Sequence, residues 1–380
     1  MSLPLDPPTL AEHFGAWLRL TDGTVIDNYC GYNYLNLQFH PAVRQAVAAA
    51  VRAYGMTGMV AGGIRHPIRQ LLEEELLALS GAEAVLVYPS NYMGAQILLS
   101  VLLDRCDVIL VDAETHYSAQ DALCAARVPV VPFRHRDADA LREAAGRLKP
   151  GQRPLLITDG VFPVTGAIAP LDAYAEILAH CSGRQFCIDD AHAMGILGAR
   201  GRGTLEHFGL EGQPGFYVSA TLSKALGGHG GFIAGSASLI AELHQKSRIP
   251  RGASPVSVPN MAAAARALQV LRDEPDLRPN LQRNIARAQA GLRSLGLTIA
   301  DIPIPIISFT MPGADACQQI GDDLQKQGIL VRVFGPREYS SAPDVPCIRI
   351  ALSTCHTSAQ IDRLVQAIGA CIARQGLPVA

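Results

Sequence analysis

Residues 154–190, PLLITDGVFPVTGAIAPLDAYAEILAHCSGRQFCIDD, combine two strand-like runs with a helix-like segment. The apolar runs are PLLITDG (154–160) and QFCIDD (185–190), and DAYAEILAHC (172–181) lies between them with a helical pattern. Continuous apolar strands separated by helices are typical of a parallel sheet that is covered on both faces. The stretch therefore predicts an α/β fold.

The same alternation continues on both sides of this stretch. Further strand-like runs are AVLVY (84–88), DVILVD (107–112), FYVSA (216–220) and GFIAG (231–235), and the first two are followed by the helix-like GAQILLSVLL and SAQDALCAA. We therefore predict one large α/β domain over residues 41–255. Residues 1–40 are expected to form an N-terminal arm that packs against both domains.

The pattern changes after residue 250. PRGASPVSVPN (250–260) is rich in Pro, Ser and Gly and is typical of a linker. A smaller α+β domain is predicted over 256–380, and its expected elements are a long helix at about 260–295, strands at 304–311, 328–334 and 347–352, and a closing helix at 358–373.

Composition excludes several classes of protein. The net charge of −2 over 380 residues gives no electrostatic basis for binding nucleic acid or an anionic membrane. No apolar run reaches the ~18 residues that a membrane-spanning helix needs. The first residues, MSLPLDPPTLAEHFGAWL, lack the basic and apolar regions of a secretory signal. The nine cysteines form no C-x-x-C pair, which favours a reducing compartment, so we expect a cytoplasmic protein.

Polar residues follow the predicted strands where ligands bind in open α/β sheets. YPSNYMGAQ (88–96) ends a strand and opens a helix, whose free N–H groups suit a phosphate. Ser90 is either a contact to that anion or a plain helix cap. His116, in DAETHYSAQ (112–120), either stacks on an aromatic ring, acts as an acid or base, or is structural.

Two further strand ends carry carboxylates. Asp159 lies in TDGVF (158–162), and Asp189 and His192 lie in IDDAHAMG (188–195). A carboxylate here would keep a pyridine nitrogen protonated, and the imidazole would bond a phenolic oxygen on the same ring. The alternative is a metal pair, or a helix cap with a surface histidine. Since no third and fourth ligand appears at metal-like spacing, we predict no metal site.

A lysine in a glycine-rich loop completes the set. In SATLSKALGGHGG (219–231), Thr221 would bond a phosphate, Lys224 would form a Schiff base, and the glycines would let the backbone approach a cofactor. Such chemistry requires a lysine whose pKa is lowered by burial; the alternative is a solvated turn.

Arg349, in CIRIAL (347–352), would bind a substrate carboxylate or form a structural ion pair.

Together these motifs resemble the α-oxoamine synthases, a family of fold-type I pyridoxal-phosphate enzymes. The resemblance runs from GYNYLNLQFHPAV (31–43) to IRIALSTCHTSAQIDRL (348–364) and therefore covers nearly the whole chain. DDAHAMGILG (189–198) and TLSKALGGHGG (221–231) are its most specific stretches. It implies a large, mainly parallel-sheet domain and a smaller α+β domain, with pyridoxal 5'-phosphate as the cofactor.

The resemblance also implies a role for each matching residue. Lys224 would carry the cofactor and later move the Cα proton. Around the ring, Asp189 would pair with the pyridinium nitrogen, His192 would bond the phenolic oxygen and His116 would stack. The remaining implied contacts are Thr221 with the backbone of Asn91 and Tyr92 at the phosphate, Asp159 near the cofactor, and Arg349 and Asn33 at the substrate. The family forms homodimers, in which AGGIR (61–65) and the glycines after Lys224 would serve the partner's site.

The implied reaction condenses glycine, alanine or serine with an acyl thioester of CoA or a carrier protein, with loss of CO2, to an α-amino ketone. The same scaffold also supports aldolase-type cleavage, decarboxylation and transamination, so these remain alternatives. A non-catalytic subunit is a further alternative, against which Lys224, Asp189 and His192 argue.

The chain departs from the family in three regions. AGGIRHPIRQLLEEEL (61–76) is shorter than usual and has Arg69 where a histidine is expected, Pro163 replaces a serine, and GPREYSSAPDVP (335–346) is atypical. These regions concern the acyl donor and the partner subunit more than the cofactor.

Overall fold

The chain is described here from a computed structural model that covers residues 8–57, 64–313 and 315–376. The strands are β1 (Leu10–His13), β2 (Trp17–Leu20), β3 (Val25–Asn28), β4 (Ala84–Tyr88), β5 (Val108–Asp112), β6 (Val130–Phe133), β7 (Pro154–Asp159), β8 (Gln185–Asp189), β9 (Phe216–Thr221), β10 (Gly231–Gly235), β11 (Ile306–Thr310), β12 (Ile329–Leu330), β13 (Arg332–Phe334) and β14 (Cys347–Ala351). The helices are α1 (Pro41–Tyr54), α2 (Pro67–Ser80), α3 (Gly94–Leu102), α4 (Tyr117–Leu123), α5 (Ala138–Gly146), α6 (Leu171–Ile177), α7 (Thr204–His207), α8 (Ala237–Lys246), α9 (Ile249–Gly252), α10 (Val258–Asp273), α11 (Leu277–Ser294), α12 (Ala316–Lys326) and α13 (Ser358–Gln375).

The largest sheet has the order β4-β10-β9-β8-β7-β5-β6. Strands β5 to β9 pair in parallel, and β10 is antiparallel to both of its neighbours. Every residue of β5 and of β7 is buried, which explains why their sequences are apolar without alternation. The predicted α/β class, with a mainly parallel sheet, is confirmed.

The chain forms two compact units. The larger consists of residues 40–163 and 167–274, and the smaller of 164–166, 275–380 and the described part of 1–39. The division at residue 274 differs from the boundary predicted at 255, because α10 packs on α1 and α2 in the core of the larger unit. Pro259, which is one of the prolines in the expected linker, lies in the first turn of α10, where a proline needs no N–H partner.

The long helix predicted at about 260–295 is two helices, α10 and α11. Pro275 follows the end of α10, and a proline disfavours helical backbone in the residue before it, here Glu274. The predicted closing helix agrees with α13, which begins with a capping box formed by Thr357 and Gln360.

The smaller unit contains two sheets, with the orders β1-β2-β3-β12 and β11-β14-β13. The strand predicted at 328–334 is divided between them, since β12 pairs in parallel with β3 and β13 pairs antiparallel with β14. The N-terminal segment, predicted as an arm, thus contributes three strands to this unit. Within the described residues, no helix is both long and apolar enough to cross a membrane.

Candidate active site

The larger unit has a cleft of about 180 Å³ at the carboxyl ends of its parallel strands. Asp159 and Asp189 end β7 and β8 and are direct partners in the strand register. The cleft is lined by Ser90, Asn91, Tyr92, His116, Ser118, Asp159, Val161, Pro163, Asp189, Ala191, His192, Thr221, Ser223 and Lys224. All the cofactor-binding residues predicted from the sequence are in this set, and their individual roles stay predictions.

Lys224 lies in the loop that joins β9 to β10. The loop is closed by the pairing of Thr221 with Gly231 at its two ends. The Lys224 Nζ atom is 2.6 Å from Nε2 of His192, whose side chain is buried. A lysine that is half-buried, lines a cleft and contacts an imidazole does not fit the alternative of a solvated turn.

Gly231 is required by the close packing beside this loop. A Cβ atom at this position would lie 2.4 Å from the Tyr88 ring and 2.8 Å from the Asn91 Cα. The backbone of Asn91 therefore reaches β10 only because residue 231 has no side chain.

We expect Gly231→Ala to lower the free energy of unfolding by about 1–3 kcal/mol through overpacking, and to weaken cofactor binding. Chemical denaturation of the cofactor-free protein measures the first effect. Gly146→Ala is the matched control, because a Cβ there meets no atom within 4 Å and the position ends helix α5. A Gly231→Ala protein as stable as the Gly146→Ala protein would contradict the packing argument.

The Asp189 carboxylate is held from one side. Its Oδ1 atom accepts hydrogen bonds from Asn91 Nδ2 at 3.0 Å and from the Ala191 N–H at 2.9 Å. Asn91 is itself fixed by the Tyr88 hydroxyl, which donates to its Oδ1 at 2.9 Å. Among the described residues, Asp189 Oδ2 receives no hydrogen bond, so this oxygen is available to a ligand in the cleft.

Asp159 lies beside Asp189 and is 3% exposed. Its Oδ1 atom accepts hydrogen bonds from the Thr115 hydroxyl at 2.9 Å and from the His116 N–H at 3.1 Å. Burial, and next the negative charge of Asp189, raise the pKa of Asp159 to about 8. At neutral pH this carboxyl group is therefore protonated.

The raised pKa of Asp159 makes stability depend on pH. Between about pH 4 and pH 8 the unfolded chain releases this proton while the folded chain retains it, so the free energy of unfolding falls as the pH rises through this window. We expect Asp159→Asn to stabilise the cofactor-free protein at pH 8 by an amount of the order of 2 kcal/mol, and by less at pH 5. Apparent Tm values measured across this range, with Asp139→Asn as an exposed control, test this. A gain that is equal at both pH values would contradict it.

His116 has a structural role as well as a place in the cleft. Its Nδ1 atom caps α4 by accepting from the Ser118 N–H, and it is 2.8 Å from the Ser118 hydroxyl. Burial lowers the pKa of His116, the charge of Lys224 lowers it further, and the charges of Asp189 and Asp121 oppose this. A neutral imidazole facing the cleft suits stacking on an aromatic ring.

Ser90 and Thr221, which also line the cleft, lie at backbone segments that suit an anion. Ser90 caps a short 3-10 helix, 91–93, that continues into α3, and its hydroxyl accepts from the Tyr92 N–H at 3.4 Å. The Thr221 hydroxyl donates to the Gly230 carbonyl at 3.1 Å and accepts from the Ser223 N–H at 3.1 Å. The helix N-terminus that Ser90 begins provides the N–H donors that suit a phosphate, and Thr221 also lines the cleft.

Six residues of the site were missed in the sequence, namely Tyr88, Thr115, Ser118, Val161, Ala191 and Ser223. Ser118 lies two residues after His116, and a side chain that caps a helix commonly bonds the residue two positions later. This spacing in the sequence therefore indicated that Ser118 contacts His116. Tyr88 and Thr115 act only through other side chains, Asn91 and Asp159, so the sequence alone carried no signal for them.

The two predicted substrate-binding residues belong to the smaller unit. Arg349 lies in β14, is 1% exposed, and has its guanidinium carbon 4.7 Å from the centre of the Tyr32 ring. Asn33 Nδ2 donates to Asn36 Oδ1 at 2.9 Å. Substrate binding by Arg349 and Asn33 stays a prediction. Most of the AGGIR segment, residues 61–63, lies outside the described residues.

Comparison with known proteins is consistent with this site. The family model for aminotransferase class I and II matches residues 28–368. An 8-amino-7-oxononanoate synthase of Methylococcus capsulatus is 36% identical over 91% of this chain and 89% of its own length, and that of Nitrosococcus oceani is 36% identical over 93% of each. The chain therefore belongs to the aminotransferase class I and II family.

Solved structures agree on the fold. A serine palmitoyltransferase from S. paucimobilis with a bound PLP-myriocin aldimine has a TM-score of 0.87 at 23% identity, covering 95% of this chain and 90% of its own. The 8-amino-7-oxononanoate synthase of Francisella tularensis has a TM-score of 0.78 at 23% identity, covering 92% and 99%. Within the family, the chain is an α-oxoamine synthase, a pyridoxal-phosphate-dependent enzyme of fold type I, which confirms the resemblance seen in the motifs.

The residues of the cleft fit pyridoxal 5'-phosphate. They provide a lysine amine for its aldehyde, a carboxylate with a free oxygen for its pyridinium nitrogen, a neutral imidazole for its ring face and a helix N-terminus for its phosphate. The activity is the condensation of a small amino acid with an acyl thioester, with decarboxylation.

Proposed function

We propose that this enzyme condenses alanine with a thioester of a seven-carbon dicarboxylic acid to form 8-amino-7-oxononanoate. The support comes from the curated relatives of that name, which match over about nine-tenths of both chains. In this product the amine lies on C8 beside a terminal methyl group, which is what alanine leaves after it loses its carboxyl group. The remaining seven carbons carry a carboxylate at one end and the new ketone at the other, so they come from the acyl donor.

The contact between Lys224 and His192 is the structural observation that carries the chemistry. Pyridoxal phosphate, when bound, supplies an electron sink that stabilises negative charge at the amino-acid Cα. Lys224 binds the cofactor and, once displaced by the amino acid, removes and returns the proton at Cα. Because its Nζ is 2.6 Å from His192 Nε2, the imidazole both orients the amine and exchanges a hydrogen bond with it.

The other residues of the cleft orient and enclose the reactants. Asp189 would present its Oδ2 atom to the pyridinium nitrogen and keep the ring cationic. His116 would cover one ring face, and Ser90, Thr221 and the backbone of Asn91 would hold the phosphate. Arg349 lies in the smaller unit, and we propose that it binds the amino-acid carboxylate, since its guanidinium fork suits a bidentate contact to that group.

A substrate panel tests the proposal. The protein loaded with cofactor is offered glycine, alanine and serine, each with thioesters of dicarboxylic and monocarboxylic acids, while free thiol, CO2 and ketone product are measured. We expect alanine to exceed glycine by at least about tenfold in kcat/KM, since one methyl group in a fitted pocket is worth about 1–3 kcal/mol, and to exceed serine similarly, since an apolar pocket rejects an added hydroxyl group by up to about 10²-fold. A preference for glycine or serine would overturn the assignment of alanine. Keto-acid formation without thiol release would overturn the condensation itself.

We also propose a homodimer located in the cytoplasm. Exposed apolar side chains of Tyr54, Met56 and Ile64 border the segment that the family uses at its subunit interface, and all nine cysteines are free thiols, as a reducing compartment favours. Light scattering during size-exclusion chromatography is expected to give twice the 40.4-kDa mass of the chain. A monomer mass at micromolar concentration would contradict the dimer.

A further inference from the structure

Two carboxyl groups meet at the bottom of the cleft. Asp159 and Asp189 are direct partners in the register of two parallel strands, so their side chains point to the same side of the sheet. Two neighbouring carboxyl groups in a buried place cannot both ionise at low cost. Each of the two accepts two hydrogen bonds, so the deeper burial of Asp159, which is 3% exposed while Asp189 is half-buried, distinguishes them.

The donors around Asp189 are fixed in direction. Burial holds the pKa of Tyr88 well above its ordinary value, so its hydroxyl stays protonated and donates to Asn91 Oδ1. An amide whose oxygen accepts from Tyr88 must turn its NH2 group the other way, and Asn91 Nδ2 accordingly donates to Asp189. The Ala191 N–H is the second donor to the same oxygen. Both donors are directed at the Oδ1 atom of Asp189.

The surroundings of Asp159 favour the neutral form. It is 3% exposed and also accepts two hydrogen bonds, from Thr115 and His116. Its burial and the neighbouring charge of Asp189 outweigh these two bonds, as the raised pKa of Asp159 shows. The charge of Asp112 also acts on Asp159, and Asp189 interacts electrostatically with His116, Tyr88, Cys187 and Asp190.

We propose that Asn91 and Asp159 are positioning residues that concentrate the negative charge of the site on Asp189. Asn91, held by Tyr88, stabilises the charge on Asp189, and Asp159 holds the proton that the pair retains. This inference rests on the proposed function, in which Asp189 faces the pyridinium nitrogen. It predicts that substitution of Asn91 weakens cofactor binding because Asp159 can then take up negative charge in place of Asp189.

A double-substitution cycle tests this. The cofactor dissociation constant is measured by absorbance titration for the full-length wild type, Asn91→Leu, Asp159→Asn and the double variant. We expect Asn91→Leu to weaken cofactor binding at least about tenfold in the wild type, because a hydrogen bond to a charged group is lost, and about threefold or less in the Asp159→Asn protein, where no second carboxyl group competes. A merely structural role for Asn91 predicts the same loss in both proteins, and that outcome would overturn the inference.

Two further variants keep the test independent of folding. Tyr88→Phe removes only the hydroxyl that orients Asn91, and we expect it to weaken cofactor binding by about threefold, an effect that Asp159→Asn also suppresses. Asn91→Ala avoids adding bulk next to Gly231, and we expect it to reproduce the Asn91→Leu pattern; no loss in either variant would also overturn the inference. Failure of the wild-type protein to take up the cofactor would instead contradict the proposed function.

Discussion

Lys224→Ala is expected to abolish the visible absorption band of the cofactor-loaded protein and to lower kcat at least about 10³-fold. The reason is that Lys224 is the one lysine among the described residues that line the cleft. It both binds the cofactor and moves the proton at Cα, so its removal deletes two functions at once. Absorption spectra of the loaded protein and single-turnover rates with alanine measure the two effects separately.

Lys224→Arg distinguishes the effect of the positive charge of Lys224 from that of its ability to form a Schiff base. Arginine retains a positive charge near His192 but does not form a Schiff base, so we expect this variant to lose the band as Lys224→Ala does. Lys246→Ala is the matched control, because Lys246 lies in ion pairs with Asp104 and Glu242 away from the cleft. A Lys224→Ala protein that keeps the band would show that another amine carries the cofactor.

Asp189→Asn is expected to lower kcat by about 10²–10³-fold and to weaken cofactor binding by at least about tenfold. The substitution preserves the shape of the side chain, and an asparagine oxygen still accepts from the Ala191 N–H and from Asn91. It removes the negative charge that keeps the pyridinium protonated. The loss is thus electrostatic, and circular dichroism is expected to show an unchanged fold.

The measurement compares Asp189→Asn with Asp139→Asn, which changes an exposed aspartate in a helix of the same unit. Only the first is expected to alter kcat and the cofactor dissociation constant. If Asp189→Asn retained more than about a third of the wild-type kcat, a different group would have to pair with the pyridine nitrogen.

The larger unit was largely predictable because its strands are buried on both faces. Continuous apolar runs such as AVLVY and GFIAG become β4 and β10 with the same bounds. Strand β6 was not predicted, because it lies at the edge of the sheet and its pattern is half exposed and interrupted by Pro132.

The smaller unit was less predictable because its pairings are distant in sequence. Strand β12 has only the residues Ile329 and Leu330, and its partner β3 lies near the start of the chain. No local pattern in residues 328–334 shows that this run changes from one sheet to another. The three strands of the N-terminal segment have only four residues each, and their burial changes from mostly exposed in β1 to mostly buried in β3, so they lack the periodicity that indicates a strand.

The cleft residues were predictable from motifs, but the hydrogen bonds that position their side chains were not. Asp189, His192 and Lys224 stand at strand ends where the fold gathers ligand-binding groups. The bonds from Tyr88 to Asn91 and from Asn91 to Asp189 join residues of different strands and loops. Only three-dimensional coordinates reveal which of several asparagines reaches which carboxylate.

The smaller unit contains both ends of the described chain, and this constrains its assembly during synthesis. Tyr29 stacks on His356 at 4.4 Å, Asp27 bonds Gln360 at 2.8 Å, and Tyr32 covers Arg349. Residues 8–39 leave the ribosome before residues 40–274, which contain the core of the larger unit, and their partners in 275–376 emerge after it. The early strands therefore wait without partners while the larger unit is synthesised, and the predicted carboxylate-binding site around Arg349 is completed only after that.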